Sequence, residues 1–142
     1  MIEQFSRTEI LLENYTKVLT IEALTMLDMA RKQIIPAGIR FGKELAETAY
    51  AKNSIGIDSE VEVALASKVS GLTKNISRMT AEIEKFLVEA GGIDGVEATA
   101  KYFRDNIFTA MQELRTYADE LETVTPSDIW PMPTYSELLF NI

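Results

Sequence analysis

The groups left for chemistry in this chain are carboxylates, Lys, Tyr and Ser, because its 142 residues include no His and no Cys. An imidazole base, a Ser-His-Asp triad, a thiolate nucleophile and a zinc site with Cys or His ligands are therefore excluded. The paired-carboxylate metal site of helical bundles is excluded as well, since it uses Glu-x-x-His pairs.

Glu22 and Asp28 are the carboxylates best placed for a chemical role, because they lie in the most apolar helical stretch, TIEALTMLDMARKQII. They could form an acid/base pair or an ion site of oxygen ligands, but their spacing does not put them on one helix face. We interpret Asp28 as part of a polar strip with Thr25 and Lys32, and Glu22 as the partner of a nearby base. The sequence predicts no catalytic, cofactor-binding or metal-binding residue.

The charge balance bears on the partners of this chain. Its 14 Lys and Arg stand against 22 Asp and Glu, a net charge of -8. Because nucleic-acid binders present a basic face, we expect no nucleic-acid partner. Four basic residues near Pro36 could bind an anion, but acidic residues follow them at once, so we interpret them as a solvated face. They are Arg31, Lys32, Arg40 and Lys43.

The hydropathy pattern contains no membrane segment. No apolar run approaches the roughly 20 residues that a membrane-spanning helix needs. The N-terminal stretch MIEQFSRTEILLEN lacks the basic and then apolar order of a signal peptide. We therefore expect no membrane partner and a cytoplasmic location.

Long stretches poor in Gly and Pro predict an all-α fold, an antiparallel bundle of three long helices. The first begins at Ser6, which forms a capping box with Glu9. Pro36 should kink or end this helix, so that the bundle counts three helices or four. Residues 37–52 still have helical spacing. The core face of the first helix comprises Leu12, Tyr15, Leu19, Ala23, Met26, Ala30 and Ile34.

A second apolar stripe runs beside the core face of the first helix. It comprises Leu11, Val18, Ile21, Leu24, Leu27 and Ile35. An apolar arc of this width exceeds the single stripe that is typical of a surface helix. The sequence therefore predicts that the first helix is buried on more than one side.

The second and third helices each carry an apolar seam whose spacing alternates between four and three residues, as helix packing requires. The second begins near Asp58 or Ser59, where Ser59 and Glu62 form a capping box, and it ends at Gly91 and Gly92. The third begins at Asp94. The seam of the second comprises Leu65, Val69, Leu72, Ile76, Met79, Ile83, Phe86 and Ala90. That of the third comprises Val96, Ala100, Phe103, Ile107, Ala110, Leu114, Tyr117, Leu121 and Val124.

The composition changes near the C-terminus. We divide the chain into a helical bundle, residues 1–125, and a tail rich in Pro and aromatic residues, residues 126–142, with a short helix capped by Thr134 and Glu137. The tail either folds back over the bundle or docks on another domain or subunit. Its candidate docking residues are Trp130, Met132, Tyr135, Leu138, Leu139 and Phe140.

Three blocks of sequence resemble a known family. Residues 13–37, ENYTKVLTIEALTMLDMARKQIIPA, resemble the start of the C-terminal region of type III glutamine synthetases. The match continues through residues 101–123, KYFRDNIFTAMQELRTYADELET, and closes with WPMPTYSELLF, residues 130–140, which is similar to the family's C-terminal signature. The resemblance implies the C-terminal helical domain of such an enzyme, a fragment without the catalytic domain.

The family joins ammonia to glutamate, driven by ATP cleavage through a γ-glutamyl phosphate. The resemblance implies that the parent enzyme uses ATP and Mg or Mn, that its catalytic domain lies upstream, and that this chain holds none of these cofactors. The family also forms large double rings. The implied partners are therefore the parent catalytic domain and neighbouring subunits.

Two classes of function follow. The first is a non-catalytic domain that braces the subunit and its oligomer in an enzyme of nitrogen metabolism. The alternative is a free-standing helical protein-interaction module with a groove beside Pro36. An independent enzyme would have to build its active site from carboxylates, Lys or Tyr alone, which makes it the weakest hypothesis.

Overall fold

The computed structural model describes residues 2–132, with side chains from residue 7 onward. Two wide π-helical turns, Ala30–Ile34 and Phe103–Phe108, join consecutive α-helices without a break, so the described residues form three long helices and contain no strand. The predicted all-α fold of three helices is confirmed. The α-helices are α1 (Ile2–Met29), α2 (Ile35–Ser54), α3 (Glu60–Ala90), α4 (Val96–Tyr102) and α5 (Thr109–Val124).

Contacts across the α2–α3 hairpin show that these helices are antiparallel. Lys52 pairs with Glu62 beside the connecting loop. Farther from the loop, Gly38 faces Thr73. Later residues of α3 thus contact earlier residues of α2. This confirms the predicted antiparallel packing of the first long helix on the second.

The second and third long helices are antiparallel as well. Lys68 Nζ lies 3.6 Å from a carboxylate oxygen of Glu120. Toward the other end of α3, the rings of Phe86 and Tyr102 meet edge to face, with centroids 6.2 Å apart. The short link after Ala90 therefore reverses the chain, as the sequence predicts.

Pro36 does not end the first helix, which runs from Ile2 to Ser54 through the π turn Ala30–Ile34. In that turn the Ile35 N–H donates to the Ala30 carbonyl, one residue farther back than in an α-helix. Pro36 lacks an N–H and crowds the preceding turn, and a π turn at this place lets the helix continue. The start predicted at Ser6 is also wrong, because the helix begins four residues earlier.

The predicted seams of α3 and of the third long helix form the centre of the core. All their residues are buried or half-buried, and they pack with the core face of the first helix from Leu19 to Ile34. The N-terminal end of that face is a correction, because Tyr15 is exposed. The most deeply buried large side chains are Ile76, Met79, Ile83, Ile107, Leu114, Leu121 and Val69. The spacing of three and four residues is thus sufficient to identify the core.

One predicted helix cap and one predicted helix start need correction. Ser59 precedes α3 as predicted, but it makes no capping hydrogen bond. Its hydroxyl donates to Asn53 Oδ1 at 2.8 Å, and the Glu62 carboxylate pairs with Lys52 instead of reaching back. The third helix begins after Gly95, not at Asp94, because Gly95 has φ of +95°, a value that favours glycine.

The chain turns back on the bundle after α5. The Pro126 carbonyl accepts hydrogen bonds from the backbone N–H groups of Ile129 and Trp130, both at 3.0 Å. The side chains of Ile129 and Trp130 are buried in the common core. The division of the chain at residues 125 and 126 stays a prediction, because the tail beyond Met132 lies outside the described residues.

Candidate functional site

The structure places the two candidate carboxylates in solvent. Asp28 pairs with Lys32 at 2.8 Å on the next turn, and this hydrogen bond raises the pKa of Lys32 above its ordinary value. The predicted polar strip is therefore confirmed. Glu22 is exposed, and the base predicted for it is wrong, because it makes no ion pair with a described residue.

The basic residues near Pro36 form a solvated face. Arg31 reaches across to α3 and donates to Glu84 at 2.7 Å, and Lys43 lies 3.8 Å from Glu47. Arg40 is exposed. Among the residues that the structure describes, no group of three or more acidic side chains is placed to hold a metal ion. None of the described helices has the length and apolar character that crossing a membrane requires.

The strongest pKa shift belongs to a tyrosine at the contact between α3 and α4. Tyr102 Oη donates to a Glu89 carboxylate oxygen at 2.6 Å. Burial raises the pKa of Tyr102 to about 12, and the hydrogen bond to Glu89 adds to the effect. The hydrogen bond connects α3 to α4. Because the raised pKa keeps the phenol of Tyr102 protonated, we assign it no role as a nucleophile.

This shift predicts a loss of stability in strong base. A tyrosine in an unfolded chain has a pKa of about 10. The folded state keeps a proton that the unfolded state loses, so the contribution of Tyr102 is full below about pH 10 and disappears as the pH rises toward 12. We expect Tyr102→Phe to flatten this decline in urea unfolding at stepped pH. The exposed Tyr50→Phe should leave the decline unchanged, and an unchanged slope in Tyr102→Phe would contradict the assignment.

The most unusual surface of the described chain is an apolar stripe on α1. Five large side chains there are 47–69% exposed, and we call them the outer stripe. They are Ile10, Leu11, Val18, Ile21 and Leu24. Of the second apolar stripe, only Leu27 is buried and Ile35 half-buried. The prediction that this helix is buried on more than one side is therefore wrong within this chain.

A groove of about 560 Å³ lies between α1 and α5. We call it the α1–α5 groove. Its apolar lining includes Met26, Met29, Ile34, Met111, Leu114 and Ala118, and Met132 lies at its edge. Ile34, which lines one end of this groove, lies close to Pro36, beside which the sequence predicts a groove for the alternative function.

The predicted docking residues fall into two groups. Trp130 is only 5% exposed and Met132 is half-buried, and both pack against the bundle. Tyr135, Leu138, Leu139 and Phe140 lie outside the described residues. A docking surface built from all six therefore stays a prediction, whereas Trp130 has its contacts within this chain.

The described residues thus define a three-helix bundle with an apolar face on α1 and an open groove beside it. Comparison with known proteins shows what the chain is similar to. The model of the family described as "Glutamine synthetase C-terminal domain" matches residues 2–53, almost the whole of the first long helix.

Whole-chain relatives agree with this match. The chain is 35% identical to a glutamine synthetase of Butyrivibrio fibrisolvens over 99% of its length, and 28% identical to a type-3 glutamine synthetase of Dictyostelium discoideum over 98%. A glutamine synthetase of Bacteroides fragilis is 28% identical over 95% of the chain. The predicted resemblance to the C-terminal domain of type III glutamine synthetases is confirmed. The chain spans about one fifth of the length of these curated relatives, 20%, 20% and 19% respectively.

Proposed function

We propose that this chain is the non-catalytic C-terminal helical domain of a type III glutamine synthetase, where it braces the subunit and its oligomer. The parent enzyme ligates ammonia to glutamate with ATP and Mg or Mn in a catalytic domain outside this chain. It serves nitrogen metabolism in the cytoplasm. The partners of the domain are the parent catalytic domain and neighbouring subunits.

The observation that carries this proposal is the exposed outer stripe of α1. Single exposed hydrophobic residues are ordinary, but several large ones along one helix mark an interaction surface. Full burial of a large apolar side chain contributes about 1.5–3 kcal/mol, so five half-exposed residues offer several kcal/mol of association energy. The stripe also lies within the segment that matches the family model.

The length of the relatives supports the choice of partner. About four fifths of each relative has no counterpart in this chain. In the parent enzyme, that remainder is covalently connected to the domain. The connection gives the two parts a high effective concentration, which favours contact between them. The parent catalytic domain is therefore the first partner that we propose for this surface.

Charging the outer stripe tests the proposal. We expect Leu11→Asp combined with Leu24→Asp to leave the isolated 142-residue chain folded by circular dichroism, because both side chains are more than half exposed. In the full-length synthetase the same pair should weaken subunit association more than tenfold or lower the melting temperature, because an unpaired buried carboxylate costs several kcal/mol. Sedimentation and calorimetry measure the two effects.

The matched control charges two exposed apolar residues away from α1. Tyr50 and Ile55 are 80% and 72% exposed, and Tyr50→Asp with Ile55→Asp should change neither measurement. Full-length enzyme with a charged outer stripe and normal oligomer size and melting temperature would refute the bracing role. A reading frame without a synthetase catalytic domain upstream of Met1 would refute the proposal as a whole and favour the free-standing interaction module.

A further inference from the structure

We propose that the outer stripe continues onto the C-terminal end of α3, and that an apolar segment of the parent catalytic domain, carrying one carboxylate, docks in the cleft between the two helices. This proposal rests on the bracing role, and it names the residues and the chemistry of that contact. We call the surface the α1–α3 cleft. Its exposed or half-buried aliphatic residues are Ile21, Leu24, Leu87 and Val88.

The α1–α3 cleft consists of two adjacent grooves of about 530 Å³ each. Leu24 and Leu87 line both grooves and form the ridge between them. Val88 lines the second groove and is 76% exposed. Large apolar side chains on two helices thus surround a concave surface, which is the shape that accepts a side chain or a segment of a partner.

The cleft exists because the chain reverses beside α1. α3 ends at Ala90, and the turn that follows leads into α4. Small residues therefore line the first groove where a longer side chain could fill it, namely Ala90, Gly91 and Thr99. The space beside α1 is left by the bundle itself, and it is available to a partner that approaches the outer stripe.

The polar side chains that line the cleft have partners within the chain, with one exception. The threonine hydroxyls donate to backbone carbonyls at 2.7 to 2.9 Å, and the charged groups of the second groove form ion pairs with one another. The threonines are Thr16, Thr20 and Thr99, and the ion pairs are Arg31–Glu84 and Lys32–Asp28. An apolar cover would therefore leave few of these polar groups without a hydrogen bond.

Lys17 is the exception. It lines the first groove, is exposed, and makes no ion pair with a described residue. A lysine that is covered without a counter-ion destabilises the contact, whereas a carboxylate opposite it would form a charge-assisted hydrogen bond. The docked segment is therefore apolar with one Asp or Glu at the position that faces Lys17.

The same charge disfavours a second copy of this chain as the occupant. A two-fold contact presents the same patch on both sides. The patch would supply a second Lys17 but no free carboxylate, because Asp28 and Glu84, the acidic residues that line the cleft, are already in ion pairs. The parent catalytic domain has no such restriction, and its covalent connection favours contact with the cleft.

A photo-cross-linker in the cleft can identify the occupant. We expect a benzophenone amino acid in place of Val88 of the full-length synthetase to cross-link to a segment of the catalytic domain that combines apolar residues with an Asp or Glu. Mass spectrometry locates the cross-linked peptide. The same amino acid in place of Val61, which is 67% exposed at the other end of α3, should not reach that segment. Cross-links confined to the 142 residues, within one subunit or between two, would overturn the proposal.

Charge substitutions test the chemistry of the contact. Val88→Asp and Lys17→Glu should each speed the proteolytic release of the helical domain from the full-length synthetase at least tenfold, because cleavage follows the population of the undocked state. Val61→Asp and Lys17→Arg should keep the natural rate. The isolated chain should stay folded by circular dichroism in all four variants, because these side chains are exposed.

A further variant distinguishes this proposal from the bracing role. Leu11→Asp charges the outer stripe but lies outside the α1–α3 cleft. Faster release in Leu11→Asp with natural rates in Val88→Asp and Lys17→Glu would overturn the cleft and leave the bracing role standing. Natural rates in all three would overturn both proposals.

Discussion

Val69→Asp is expected to destabilise the chain severely. The Val69 side chain has no exposed surface, and it lies in the seam of α3 against the first helix. A carboxylate there has no base to pair with, and an uncompensated buried charge costs about 3–5 kcal/mol. Because small domains are stable by only about 5–15 kcal/mol, the variant should lose most of its stability. Urea unfolding followed by circular dichroism measures the loss.

The same helix supplies the control. Val88 has the same side chain but is 76% exposed, so Val88→Asp makes the identical chemical change in solvent. It should cost less than about 1 kcal/mol, most of it from a negative charge near the C-terminus of α3. Equal unfolding midpoints for the two variants would refute the assignment of this seam to the core.

The seams could be predicted from the sequence because the period of a buried helix face is a local property. Apolar residues of each seam recur at intervals of three and four residues, whatever lies opposite them. Burial of one member, such as Val69, Ile76 or Leu114, therefore predicts burial of the others in its seam. The helix starts were harder to predict. Ser59 and Glu62 have the spacing of a capping box, but the Ser59 hydroxyl donates to Asn53 and the Glu62 carboxylate pairs with Lys52 instead.

The outer stripe shows where this inference fails. A wide apolar arc on the first helix indicates that something covers it, but not that the cover belongs to the same chain. Leu11 and Leu24 satisfy the pattern of buried residues and are 69% and 54% exposed. The periodicity of apolar residues indicates that a helix face prefers an apolar neighbour. It does not indicate which part of the molecule, or which partner, supplies that neighbour. The prediction that Pro36 could end the helix is wrong for a related reason, since a local rule takes no account of the π turn through which the helix continues.

Gly38→Ala should destabilise the chain even though alanine is the better helix former. Gly38 lies where α2 approaches α3 closely, and a Cβ built there would overlap Thr73 Oγ1 and lie 3.3 Å from Thr73 Cβ. Thr73 cannot rotate away cheaply, because it is β-branched and its hydroxyl donates to the Val69 carbonyl at 2.7 Å. Overpacking of this kind costs about 1–3 kcal/mol, more than the roughly 0.5–1 kcal/mol that alanine gains in a helix.

Two variants separate the steric effect from helix propensity. Gly71 lies in α3 with nothing near its Cβ position, so Gly71→Ala should raise the free energy of unfolding by about 0.5–1 kcal/mol. Thr73→Ala removes the overlapping hydroxyl, and Gly38→Ala should cost less in that background than in the natural one, with a coupling of about 0.5 kcal/mol or more. Additive effects of the two substitutions would mean that the helices separate without strain. Gly38 belongs to the segment that matches the family model. Additive effects would show that the close approach of α2 and α3 does not require glycine at this position.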